Sequence, residues 1–350
     1  MQFPGQGKPS VGIVFDSDLG NGVDAARALA LLYGLEGKGE ARLVSNSTTI
    51  SNLKSAAFAD VLARFYAGPP PAAGAFGGFQ RPLPPIGMAG DGNLSGDTAV
   101  LKAVLEKTTA EGMPAYSHGI HKLNDTADPV ALIRNAMTAQ YDENCIVVLA
   151  GPATNLAKAL DLPDHPDLVK RKVKLLVMAA GSYPDGRADL RVKADVAAAK
   201  RLLVEWPTPI VAVGTEVGDG LPFPGSSIEK DFAWAPAHPI VDAYRAFRSM
   251  PYDAPAPAMA AVLYAVRPDG YFKLSAPGAI SVLEDGRTRF TPAADGPHRY
   301  LVIDPAQKER VIQTYAELAS AKPVPRRNPR FRNIQKKNAE PAPPEPVKQQ

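Results

Sequence analysis

Short apolar runs that read as strands alternate with amphipathic helical stretches along most of this chain, and that alternation constrains the fold more than any other feature. The runs are VGIVF (11–15), ARLVSNSTT (41–49), NCIVVLAG (144–151), KVKLLVMAAG (172–181) and PTPIVAVG (207–214). Helical patterns occupy 24–35, 52–68 (ended by Gly68), 97–108, 129–140, 154–161 and 195–206. Strands that are apolar almost throughout, rather than at every second residue, are buried on both faces. The expected architecture is therefore α/β: a mostly parallel central sheet with helices on both faces. From Ser275 to Ile303 the pattern changes to short alternating runs, and Asp285-Gly286 between two of them signals a small C-terminal β-hairpin region. The Pro- and Gly-rich segment 69–85 reads as a surface loop. Residues 1–10 form an N-terminal extension, 11–320 a single domain, and 321–350 a disordered tail rich in Pro, Lys and Arg.

Several functions are excluded by what the chain lacks. A formal charge of +3, with its dense basic cluster in RRNPRFRNIQKK (326–337), gives the folded part no reason to bind nucleic acid. That cluster is at most a site for an acidic partner. The one cysteine, Cys145, opens an apolar strand and reads as a buried structural thiol, which leaves no disulfide framework or multi-cysteine zinc site. No run of about 18 apolar residues exists to span a membrane. The N-terminal MQFPGQGKPS lacks the apolar core of a signal peptide, so the cytoplasm is the default location, although a removed leader would leave no trace. GNG and GTEVGDG are too short and misplaced for a dinucleotide fingerprint.

In parallel sheets of this kind, ligands sit beyond the C-terminal strand ends. The first strand runs into Asp16-Ser17-Asp18-Leu19-Gly20-Asn21-Gly22-Val23-Asp24, three carboxylates within nine residues on a glycine-containing turn. Two readings are open. The carboxylates supply part of a hard-cation site, or they make an acidic turn in which Asp24 caps the following helix.

The stretch DSDLGNGVDAARAL (16–29) resembles the N-terminal signature of the inosine-uridine-preferring nucleoside hydrolase family, roughly DTDxGNDxDDALAL in one large branch. STTISN (47–52), VLAGPATNLAKAL (148–160), VKLLVMAAGSY (173–183), AVLYAVRP (261–268) and DGRTRFTP (285–292) continue the resemblance in order. It implies a nucleoside-hydrolase-like fold and a calcium ion that binds ribose hydroxyls and a water, with an aspartate as base. It also implies Asp18 as metal ligand and base, Asp16 as its support, and Asp24 as a second metal ligand. Ala150 would lend its backbone carbonyl to the metal, and Asn52 would contact the ribose.

Other positions depart from the family pattern. Ala25 stands at the second aspartate of the DD pair, Gly22 at the extra aspartate of GND, and Ala258 at the late aspartate that closes the metal shell, beside Pro257. The ribose-binding segment E(Y/W)NV reads Asp189-Leu190-Arg191-Val192. With so few carboxylates left, calcium is expected to be weak or absent. Arg191 adds a cation, which either repels a metal or replaces it by pairing with Asp18 or Asp24. Asp185, Asp253 and Glu216 are nearby acids that a rebuilt site would use. His118 is a further candidate ligand contact, and with His121 an incomplete zinc pair. Tyr252 and Trp234 lie where this family covers the base, though packing is their commoner use. His238 reads as a surface-loop residue, and His165 and His298 as structural ones. The expected function is a nucleoside or ribosyl-like binding pocket on a hydrolase scaffold, weak or inactive as an N-ribohydrolase. The alternative is an active nucleoside N-ribohydrolase with a rebuilt metal site. The resemblance leaves a homo-oligomer open.

Overall fold

The structure is a computed structural model that describes residues 10–68, 82–90 and 96–323. Most of the N-terminal extension, most of the 69–85 loop and nearly all of the basic tail lie outside these described residues.

Among the described residues ten strands, in chain order, are β1 (Val11–Ser17), β2 (Ala41–Thr48), β3 (Ile86–Met88), β4 (Cys145–Ala150), β5 (Val173–Met178), β6 (Ile210–Ala212), β7 (Phe272–Leu274), β8 (Gly278–Val282), β9 (Thr288–Pro292) and β10 (His298–Ile303). They form one sheet in the order β3-β2-β1-β4-β5-β6-β10-β8-β9, with β7 on β10. All pairs from β3 to β10 are parallel, as the unbroken apolar runs imply. The strands alternate between two cores: Ile13 and Phe15 pack into one, Val14 into the other. Helices Asp24–Gly37, Leu53–Ala67, Pro257–Val266 and Lys308–Ala319 cover the first face. Helices Pro129–Thr138, Thr154–Ala159, His165–Lys172 and Val196–Glu205 cover the second.

The C-terminal hairpin is present as β8 and β9, antiparallel, turning at Asp285-Gly286 with Gly286 at φ 83°. It is continuous with the main sheet. β10 runs parallel to β6 and joins the hairpin to the main sheet through β8. Its local alternation reflects a half-exposed position and carries no mark of the parallel partner.

Cys145 is fully buried, and burial pushes its thiol up to about 12, which fits a structural role. His165 is also fully buried, and His298 accepts a hydrogen bond from the Ile280 N–H on its Nδ1. His238 corrects the surface-loop expectation. It is 2% exposed, enclosed by the rings of Phe65, Phe232 and Trp234, and burial lowers its pKa to about 3. Among the described residues no helix is long and apolar enough to cross a membrane.

Candidate active-site cleft

β1 and β4 lie side by side, and their C-terminal ends place Asp18 at the sheet edge. The Asp18 N–H donates to the Ala150 carbonyl at 3.2 Å. Gly151 permits this approach, since a Cβ there would stand 2.7 Å from the Asp18 nitrogen. Gly20, at φ 99°, then turns the chain toward the helix that begins at Asp24. That helix is not capped by Asp24. Its N-cap is Val23, without a side-chain cap, and Asp24 sits inside the first turn. The Asp24 carboxylate is directed across the cleft instead, where Oδ2 accepts from the Ala258 N–H at 3.1 Å. It thereby satisfies one N–H in the first turn of another helix, Pro257–Val266.

Arg191 reaches the same point from the opposite side. It lies on the short helix Leu190–Ala194, whose N-cap, Asp189, accepts from the Arg191 and Val192 N–H groups at 2.9 and 3.1 Å. The β8–β9 hairpin holds this helix in place, because the Gly286 carbonyl accepts from the Asp189 N–H and Thr288 bonds both backbone groups of Ser182. From there the guanidinium donates to Asp18 Oδ2 (3.1 Å) and Oδ1 (3.3 Å), to Asp24 Oδ2 (3.1 Å) and to the Ala179 carbonyl (2.9 Å). Its side chain is 13% exposed. Burial works against its charge, but Asp18 and Asp24 outweigh that effect and hold its pKa above the ordinary arginine value. Asp189 is itself buried, which raises its pKa against the opposing charge of Arg191.

A second arginine, which the sequence pattern does not single out, completes the floor. Arg27 is 1% exposed and donates to the carbonyls of Val23, Ala254 and Pro255 at 3.0, 3.2 and 2.7 Å. Its Nη2 lies 3.8 Å from Asp24 Oδ1, and its guanidinium lies over the rings of Phe223 and Tyr244. Burial lowers its pKa, and Asp24 opposes the shift. Its spacing three residues after Asp24 is the one local signal of this role.

The resulting cavity measures 660 Å³, and Asp18, Asp24, Asp189, Arg191 and Arg27 line it together with the ring of Phe247. Other expected residues are deployed elsewhere. Asp16 lies beneath the cleft, fully buried, where its Oδ1 accepts from Ser47 and Asn155. Burial, opposed by those two bonds, raises its pKa to about 7. Asn52 and His118 do not line the cavity. The Asn52 carboxamide caps helix Leu53–Ala67 by accepting from the Lys54 N–H, and His118 packs against His121 with ring centroids 4.8 Å apart. Tyr252 stacks on Tyr244, and Trp234 donates to the Ser320 carbonyl, so both serve packing. Asp253 accepts from the Gly225 N–H, Glu216 from the Tyr183 N–H, and Asp185 pairs with Arg289. Among the described residues no group of three or more His, Cys, Asp or Glu side chains converges in a way that could hold a metal.

A doubly covered parallel sheet with a cleft at its C-terminal edge, lined by Asp18, Asp24 and Asp189 and by Arg27, Arg187 and Arg191, has the architecture in which α/β proteins place their ligand sites. Residues 13–315 match the family model of the inosine-uridine preferring nucleoside hydrolases, and the chain belongs to that family. Among solved structures it resembles a plant nucleoside hydrolase (20% identity, 89% of this chain and 100% of that one, TM-score 0.63). It also resembles a purine-preferring ribonucleoside hydrolase from Gardnerella vaginalis (15% identity, 88% and 98%, TM-score 0.63). The type III effector protein XopQ, complexed with adenosine diphosphate ribose, shares the fold at 13% identity (90% and 94%, TM-score 0.60). No curated protein matches the chain in sequence.

Proposed function

We propose that this protein binds a nucleoside or another ribosyl-containing small molecule in the cleft and does not carry out calcium-dependent N-ribohydrolysis. The observation that carries this reading is the Arg191 guanidinium, hydrogen-bonded to both Asp18 and Asp24. Calcium takes six to eight oxygen ligands, several of them carboxylates. Here two carboxylates face the position and both are engaged by an arginine, while Ala25 and Ala258 supply no acid. The donor set does not fit the ion. The pocket itself suits a ligand of nucleoside size: it measures 660 Å³ and combines the polar groups of Asp18, Asp24 and Arg191 with the apolar side chains of Val23, Phe247 and Pro257. Asp18, 17% exposed in the side chain, keeps acceptor capacity for ligand hydroxyls.

The test is ribose release from purine and pyrimidine nucleosides, with calcium and with chelator, beside calorimetric binding of the same nucleosides and of adenosine diphosphate ribose. Binding without turnover in both conditions is expected. Calcium-dependent turnover would refute the reading.

A further inference from the structure

The oxygens that converge on the floor of the cleft are met by nitrogen donors. Arg191 serves Asp18, Asp24 and the Ala179 carbonyl, and Arg27 serves the carbonyls of Val23, Ala254 and Pro255. The Ala150 carbonyl accepts from the Asp18 N–H, and Asp24 Oδ2 accepts from the Ala258 N–H. Of these oxygens Asp24 Oδ1 has no hydrogen bond, and it faces Arg27 at 3.8 Å. The two oxygens of one carboxylate thus face two different guanidinium groups.

We propose that Arg191 and Arg27 form the permanent cation of this cleft, tethered where an ion would otherwise be needed. In this arrangement Arg27 is a positioning residue that docks the 254–258 wall onto Asp24. The inference rests on the metal-free reading above and extends it to how the pocket keeps its shape. Two carboxylates brought this close repel unless a cation lies between them. A guanidinium stays charged at any physiological pH and, unlike calcium, does not dissociate. Its planar fork also bonds several acceptors at once, which an ammonium cannot copy. Arg27 joins the start of helix Asp24–Gly37 to Ala254 and Pro255, and both of these residues line the cavity. The wall bearing Pro257 is thereby held opposite the wall bearing Arg191. Ligand binding in such a cleft is insensitive to chelator.

The experiment uses the full chain and its variants Arg191→Ala, Arg191→Lys, Arg27→Lys and Arg27→Met, with thermal melting as the readout. Each is melted with low-millimolar methylguanidinium chloride, with sodium chloride at equal ionic strength, and with calcium chloride. Methylguanidinium is expected to return at least half of the Tm lost in Arg191→Ala, to leave the wild type unchanged, and to outperform sodium chloride. Calcium is expected to raise the Tm of Arg191→Ala, with affinity on the order of millimolar, and to leave the wild type and Arg191→Lys unmoved. Arg27→Lys is expected to recover part of the Tm lost in Arg27→Met. Should Arg191→Ala not fold, the calcium response of Arg191→Lys and the Arg27 pair decide the matter. The proposal is overturned by an unrescued Arg191→Ala, by calcium uptake in Arg191→Lys, or by equal melting of the two Arg27 variants. Failed rescue without nucleoside turnover would overturn this inference alone, whereas calcium-dependent turnover by the wild type would overturn the functional reading.

Discussion

Replacing Asp24 by asparagine removes one negative charge from between two buried guanidinium groups while keeping the size of the side chain. The substitution abolishes the ion pair with Arg191 at 3.1 Å and the longer one with Arg27 at 3.8 Å. Removing one partner of a buried ion pair costs about 3–5 kcal/mol, because the other charge is left uncompensated. Here the loss is softened. Arg191 retains Asp18 and the Ala179 carbonyl, Arg27 retains three carbonyls, and an amide oxygen can still accept from the Ala258 N–H. The expected cost is therefore about 2–4 kcal/mol. For a domain this large that lowers Tm by about 4–8 °C, at roughly 2 °C per kcal/mol. Differential scanning calorimetry at low and high salt measures it, and the buried pairs should respond weakly to salt. Arg187→Ala is the control, since it removes an exposed pair with Asp219 and should change Tm little, with even that change lost at high salt. An Asp24→Asn variant within about 0.5 kcal/mol of wild type, the range of an ordinary surface substitution, would refute the argument that Asp24 is the shared counter-ion.

Further outcomes follow from the same geometry. The Asp16 carboxyl has a folded pKa raised from 3.8 to about 7, so between those values the folded state holds more protons than the unfolded state. Stability should fall as pH rises through that window and level off above it. Asp16→Asn should flatten the slope in pH-dependent denaturant melts, and identical slopes would sink the assignment. Gly20→Ala places a Cβ at φ 99° and 2.8 Å from Leu101 Cδ2, at an expected cost of about 1–3 kcal/mol. Chemical denaturation measures it, and an unchanged midpoint would show that the turn tolerates a side chain.

At three positions of the site the side chain's oxygens go to backbone N–H groups for one shared reason. Asn52, Asp189 and Asp24 are short polar side chains next to helix starts, where free N–H groups compete with any ligand for their oxygens. Asn52 and Asp189 are taken by their own helices, while Asp24 is taken by a helix that begins more than two hundred residues later. Asp18 escapes such capture because it follows a strand end, so its carboxylate is left for Arg191. Tyr252 and Trp234 stand where a ligand cover is expected, yet Phe247 is the aromatic residue that lines the cavity. Which ring of this segment turns inward is set by neighbours such as Tyr244, and no local pattern encodes it.

By itself the sequence determined none of the helices that follow β6, but it did determine most of the strand and helix succession up to residue 214 (β3 and helix His165–Lys172 excepted), the parallel sheet and the hairpin turn. Each of these depends on hydrophobic periodicity and turn residues within a window of about a dozen positions. It also held both alternatives for Arg191. Only the tertiary structure brought Arg191 onto both Asp18 and Asp24, placed β10 beside β6, and revealed Arg27 as a buried cation of the site. Apart from its spacing from Asp24, Arg27 reads locally as an ordinary helical residue. Its meaning comes from carbonyls 227 and 228 positions away, and a contact that distant is made by packing the whole chain rather than by any segment of it.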